Sequence, residues 1–195
     1  MARSAKTNKK NRNGKTSGIS LPSSEGQTAV IRKAMARSGL SPSDITYVEC
    51  HGTGTKVGDA IELDGLANVF QRSTEQPLYI GSVKSNVGHS EAASGISSVV
   101  KATLALENGR IPPTYGLKNV NPKLKLDERN FKIPTETIEW PDETRVRRIG
   151  INSFGYGTFA SNAAWGLDKK LTSRRWRQCS RYYRRSASRW SFNCE

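Results

Sequence analysis

Only two histidines occur in this 195-residue chain, and both fall in glycine-bearing turns between a strand-like and a helix-like run. His51 follows Val48-Glu49-Cys50 and precedes Gly52-Thr53-Gly54-Thr55, whereas His89 ends the run Lys84-Ser85-Asn86-Val87-Gly88. In open α/β sheets ligands gather where turns leave the carboxyl ends of strands. One histidine in such a turn would mean little; two in the same setting point to a shared site, where paired imidazoles can serve as proton donors to a single reacting atom. Other chemistries do not fit. Gly52, Gly54 and Gly58 are one residue off the dinucleotide fingerprint. Two histidines with three scattered cysteines have no zinc spacing, so neither a metal nor a directly bound cofactor is expected. Cys50, next to His51, makes a poor nucleophile candidate, because adjacent residues of an extended strand point to opposite faces.

The elements that would position these residues can be read from hydrophobic periodicity and turn chemistry. Ser24 and Gln27 match a capping box, after which Ala29, Val30, Ile31, Ala34 and Met35 line one helical face and Gly39 ends the helix. Ser41-Pro42-Ser43-Asp44 begins a short turn before the strand-like run Ile45 to Glu49. A helix is expected over Asp59 to Phe70, with Ile61, Leu63, Leu66, Val69 and Phe70 apolar, then a buried strand over Leu78 to Val83. Beyond the turn at Asn86 to Gly88 a second long helix runs to about Glu107, with Ile96, Val99, Val100, Leu104 and Leu106 apolar and Gly109 as its C-cap. Small residues crowd its first half, Ala92 to Gly95 and Ser97-Ser98, and mark it as a buried central helix. Residues 148 to 154 form a last strand before the turn Gly155-Tyr156-Gly157. Alternating strands and helices imply an α/β domain built on a layered sheet.

The net charge of +14 invites an acidic partner until its placement is considered. Six of the 31 Lys/Arg and none of the 17 Asp/Glu lie in residues 1–18; nine and two lie in residues 167–195, which leaves 16 basic and 15 acidic residues between. Basicity thus belongs to the ends. An odd number of cysteines, two of them in the polar tail, implies no disulfide framework and suits a reducing, cytoplasmic compartment. No run approaches the roughly 18 apolar residues of a membrane span, and residues 2–18 hold no large apolar residue from which a signal or transit peptide could be built. The chain divides into a disordered basic start (1–18), a folded body (19–165) and a basic, unpatterned tail (166–195).

The strings VECHGTGTKVGDAIEL, YIGSVKSNVGHSEAASGISSVVKATLALENGRIPPT and INSFGYG resemble three consecutive signature blocks of polyketide ketosynthases (β-ketoacyl synthases), the iterative fungal type in particular, and NRNGKTSGISLPSSEGQ resembles the block upstream. The similarity runs over about residues 11 to 157, in order and in spacing. It implies a thiolase-like fold, of which this chain would supply the C-terminal half. It also implies the family's reaction: a cysteine of the first half holds the acyl chain as a thioester, and two histidines assist decarboxylation of a malonyl thioester whose carbanion attacks it. Matched by motif, His51 and His89 correspond to those histidines, which would stabilise an enolate oxygen that carries charge only in the transition state. Lys84 matches the family's lysine and would act through its charge or hold His89. Tyr156 falls where a backbone N–H is expected to complete an oxyanion hole. The helix after His89 would add partial positive charge from its N-terminus. No cofactor is implied beyond the phosphopantetheine thioesters of an acyl carrier protein, which are substrates.

The chain also departs from the family. The nucleophile block would lie more than a hundred residues upstream of His51, where only fifty residues stand, so the chain is expected to be inactive alone. After the glycine turn, Thr158 to Trp165 leaves the family's pattern and the Arg/Ser/Trp/Tyr tail resembles the product of a frame change or misplaced exon boundary; residues 1–10 read likewise as foreign. The expected partners are the missing N-terminal ketosynthase half or another polyketide synthase chain, and an acyl carrier protein, with no membrane. The alternatives are a non-catalytic gene fragment, or nucleic-acid binding by a tail in which Trp176, Tyr182, Tyr183 and Trp190 interleave with arginines; the tail matches no binding module, which counts against the latter. Half of a two-half sandwich leaves its central helix facing water, so poor stability is expected.

Overall fold

A computed structural model describes residues 22–141 and 146–155, with the backbone of a strand at 160–167. Helix α1 (Ser24–Ser38) begins at Ser23, whose side chain accepts the Gly26 N–H, and ends at Gly39 with φ 67°. The cap thus lies one residue before the expected Ser24, because Ser23 has the extended backbone that an N-cap needs. The inward face shifts with it: Gln27, Thr28, Ile31 and Met35 are buried, while Ala29 is exposed. Strand β1 (Tyr47–Glu49) leads through Cys50 and His51 to α2 (Gly58–Ala67), and β2 (Leu78–Gly81) leads into a four-residue helical turn, α3 (Lys84–Val87). The strand thus ends two residues before the expected Val83, and Lys84 opens the turn. A 3₁₀ turn over Glu91–Ala93 separates His89 from α4 (Ser94–Asn108), so the long helix starts five residues beyond the histidine and its N-terminus does not abut it in sequence. Then follow β3 (Arg110–Ile111), β4 (Phe131–Lys132), β5 (Ile138–Glu139), β6 (Arg147–Phe154) and β7 (Ala160–Leu167).

The main sheet has the order β4-β2-β1-β6-β7; all neighbours are parallel except the antiparallel pair β6 and β7. A small antiparallel pair, β3 and β5, lies apart. Strand β1 is central, with Tyr47 opposite Tyr79 on one side and Ile149 on the other. Its side chains alternate between two cores, as the period-two geometry of a strand demands. Val48 and Cys50 pack with Ile31, Met35, Leu63, Leu66, Leu78 and Ile80 beneath α1 and α2. Tyr47 packs on the other face with Ala102, Ala105, Leu106, Ile149 and Ile151, beneath α4. Helices on both faces of a mostly parallel sheet make the layered α/β arrangement expected from the alternation of elements.

Helix α4 reverses the usual amphipathic rule. It buries its small residues, Ser94, Ser98, Ala102 and Ala105, together with Leu106. Small residues let the helix lie close to β6: a Cβ built on Gly95 would come within 3.3 Å of Ser153 Oγ. Its larger side chains, Ile96, Val100 and Leu104, follow at i, i+4 and i+8 on the opposite side and are 68%, 53% and 53% exposed. The helix is held at its far end by Gly109 (φ 67°) and by Arg147, which donates to the Leu106 carbonyl at 2.9 Å and lies so close over Gly109 that any Cβ would strike its guanidinium. Each large apolar side chain left in water forgoes about 1.5–3 kcal/mol. Three on one stripe matter against a net stability of roughly 5–15 kcal/mol.

Candidate active site

His51 stands just past the end of β1, where the chain turns sharply through Gly52 (φ 44°). A Cβ on Gly52 would lie 2.8 Å from Ser82 Cβ, so only glycine lets this turn press against the end of β2. A buried carboxylate secures the turn. Glu62, 3% exposed on α2, accepts the His51 N–H at 2.8 Å, the Gly52 N–H at 2.9 Å and the Asn152 side-chain amide at 2.8 Å. It thereby ties β1, α2 and β6 together directly under the imidazole. Burial lifts its pKa, and the three donors work against that rise.

The His51 and His89 rings meet edge to face, with centroids 5.4 Å apart and planes at 87°. Phe154 flanks His51 on another side, at 5.8 Å. Each imidazole has its Nδ1 turned to a backbone donor: the Phe154 N–H reaches His51 Nδ1 at 3.4 Å, and the Glu91 N–H reaches His89 Nδ1 at 3.0 Å. An Nδ1 that accepts places the proton of the neutral ring on Nε2. Glu91 adopts φ 45°, the strained backbone that aims its N–H back at His89. The result is two Nε2–H donors on adjoining rings, one half-buried and one exposed.

Charge and burial set the state of His51. Its pKa is lowered to about 4, first by burial, then by the positive charge of Lys84, with the adjoining His89 acting in the same direction. At neutral pH the ring is an uncharged donor. The pKa of Lys84 is itself lowered by burial, against the attraction of Glu49 and Glu62. Among the described residues its ammonium has no hydrogen-bond partner, so it acts on His51 through space; what it gives the His89 turn is its carbonyl, which accepts the Gly88 N–H at 3.0 Å. Cys50 points away from the site, 5% exposed in the core under α1 and α2, and burial and the nearby carboxylates raise its pKa well above that of a free thiol. That environment disfavours a thiolate nucleophile. Tyr156 lies outside the described residues, as do the basic start and residues 168–195 of the tail; the tail's first two residues, 166 and 167, end strand β7. No group of three or more His, Cys, Asp or Glu that could hold a metal occurs among the described residues, and no helix there is long and apolar enough to cross a membrane.

The depressed imidazole predicts a pH dependence. Unfolded, His51 titrates near 6.5; folded, near 4. Between those values the unfolded chain binds a proton that the folded chain refuses, so the contribution is complete above pH 6.5 and is lost as pH falls toward 4. Urea unfolding across this range should show a steeper loss of stability for the unaltered chain than for His51→Gln, which has nothing to titrate there. Parallel curves for the two proteins would refute the burial of this ring.

Sequence reasoning missed Glu62, Asn152, Phe154 and a second buried acid, Glu49. A signal existed: acids inside the strongly apolar runs around β1 and α2 have no reason to be there unless something inside receives them.

The layered fold is that of a ketosynthase. The family model for the β-ketoacyl synthase C-terminal domain matches residues 3–118, and the chain belongs to that family; the match begins ahead of residue 11, so residues expected to be foreign fall within it. The chain is 74% identical over 148 residues to the highly reducing polyketide synthase anuA of Penicillium roqueforti (strain FM164), an alignment covering 75% of this chain and 7% of that protein. It is 59% identical over 153 residues to the highly reducing polyketide synthase srdA of Neurospora crassa, covering 75% and 6%. Among solved structures it is similar to ketosynthase twelve of the bacillaene polyketide synthase of Bacillus amyloliquefaciens, with TM-score 0.78 and 31% identity over 86% of this chain and 30% of the other. It is similar too to the module 6 ketosynthase of the bacillaene synthase of Bacillus subtilis 168, with TM-score 0.75 and 36% identity over 82% and 29%. The fold is thus the C-terminal half of a thiolase-like ketosynthase, of the polyketide synthase type. The chain spans less than a tenth of the length of these curated relatives.

Proposed function

We propose that this chain supplies the decarboxylating half of a polyketide ketosynthase, with His51 and His89 as its catalytic donors. The observation that carries the proposal is the pair of rings 5.4 Å apart whose Nδ1 atoms are both taken by backbone N–H groups. Loss of carbon dioxide from a malonyl thioester leaves an enolate whose oxygen gains charge as the C–C bond breaks. Two Nε2–H donors converging on that oxygen stabilise the transition state more than the ground state, which is what raises a rate. A neutral His51 is the right form for this, because it donates without giving up a full proton. Burial holds down the pKa of His51 and keeps that ring neutral, and the positive charge of Lys84 adds to the effect. The folded unit begins near residue 19 and extends through the end of β7 at Leu167, two residues past the expected boundary at 165, and the Tyr156 turn is assigned to the oxyanion of the acyl thioester. The substrates are acyl and malonyl groups on the phosphopantetheine arm of an acyl carrier protein, and the partner is the cysteine-bearing N-terminal half, which would cover the apolar stripe of α4.

Two measurements test this reading. The 195-residue chain incubated alone with acyl and malonyl thioesters should show no covalent acyl adduct on Cys50 by mass spectrometry, and a stoichiometric adduct there would overturn the division of labour. Joined to the cysteine-bearing half of a similar ketosynthase, the chain should release carbon dioxide from a malonyl thioester. If a properly folded joined protein releases none, the catalytic reading fails.

A further inference from the structure

Beneath the histidines lies a second polar cluster that the proposed chemistry does not use. Glu49 is fully buried at the end of β1. Its Oε2 is 2.8 Å from Lys101 Nζ and accepts the Tyr47 hydroxyl at 2.6 Å, while Lys101 Nζ donates to that same hydroxyl at 2.9 Å. Its Oε1 accepts the Val83 N–H. A closed triangle of Tyr47, Glu49 and Lys101 thus sits in the interface between the sheet and α4, with one further bond reaching across to the neighbouring turn. Burying an ion pair brings little net stability, since desolvation offsets most of the attraction and an apolar trio of similar volume would often serve as well. The cluster is better explained by what it joins.

Glu49 stands two residues before His51. Val83 immediately precedes α3, the turn that ends at Gly88 and delivers His89. Lys101 belongs to α4, the helix that follows His89. Three segments flanking the two histidines therefore converge on one carboxylate. We propose that Glu49 is a positioning residue which, through its bond to the Val83 N–H, sets the separation of His89 from His51, while Lys101 balances the charge of the buried carboxylate. Glu62 holds the His51 turn from the α2 side of the sheet; Glu49 holds the His89 turn from the α4 side. The proposal rests on these two rings forming one site.

Nuclear magnetic resonance of the full chain can read the separation without substrate, because the chain has only two histidines and a cross-peak between their ring protons is assignable at once. Glu49→Leu, which removes the acceptor for Val83 N–H, should abolish that cross-peak in a chain still folded by circular dichroism. Retention at full intensity would overturn the proposal. Should Glu49→Leu unfold, Glu49→Gln/Lys101→Met decides: the amide oxygen keeps an acceptor for Val83 and no ammonium is stranded. A folded double variant with its cross-peak intact supports the positioning role. One that is unfolded, or folded without the cross-peak, refutes it. Absence of the cross-peak in the unaltered chain would sink the paired-histidine reading itself and this one with it, whereas loss only on changing Glu49 leaves that reading standing.

Discussion

In a protein made by joining this chain to a cysteine-bearing half, His51→Ala and His89→Ala are each expected to slow carbon dioxide release from a malonyl thioester by about 10²–10³-fold, the usual consequence of deleting one donor to a developing oxyanion. The loss should appear in kcat with KM little changed, because the donors meet full charge only in the transition state. Both rings serve one oxygen, so the double variant should lose less than the product of the single losses. Glutamine at either position, which restores an N–H, should recover part of the rate. A variant whose kcat is untouched while KM rises would show that the histidine binds substrate and does not assist the bond-breaking step.

Glu62 should matter more to the fold than any exposed charge. Its carboxylate receives N–H groups from His51, Gly52 and Asn152 in a setting from which water is almost excluded. Glu62→Leu would take this acceptor away from three donors, at about 1–3 kcal/mol for each one that then stays buried and unpaired. The sum is on the order of half the stability of an ordinary domain. Urea titration should show the midpoint falling sharply, with the inter-histidine cross-peak lost as the His51 turn loosens. Glu62→Gln should fall between, since its amide keeps one acceptor but sets an N–H against another donor. A midpoint for Glu62→Leu close to that of the unaltered chain would mean that these three bonds contribute little.

The surface of α4 shows how burial differs from hydrophobicity. Periodicity finds the helix and its C-cap at Gly109, yet it assigns Ile96, Val100 and Leu104 to the same apolar set as Leu106. In the fold the small residues Ser94, Ser98 and Ala102 are inside and the three larger ones outside. Period alone cannot choose between two apolar faces of one helix. Proximity to β6 does, because only small side chains permit so close an approach.

Strand β1, helix α2, the glycine turns and the neighbourhood of the histidines were legible in the chain, because each is set by local chemistry: period, caps and positive φ at glycine. The family, too, was legible from residue strings alone. What the linear chain could not state is that two turns 38 residues apart bring their rings to 5.4 Å, that both Nδ1 atoms find backbone donors, or that Glu49 and Glu62 lie beneath opposite sides of the site. Those are consequences of parallel pairing, which sets β1 beside both β2 and β6 with its carboxyl end at theirs. A strand register fixes distances between residues far apart in sequence, and such distances decide whether an acid inside a protein is a costly misplacement or the anchor of a turn.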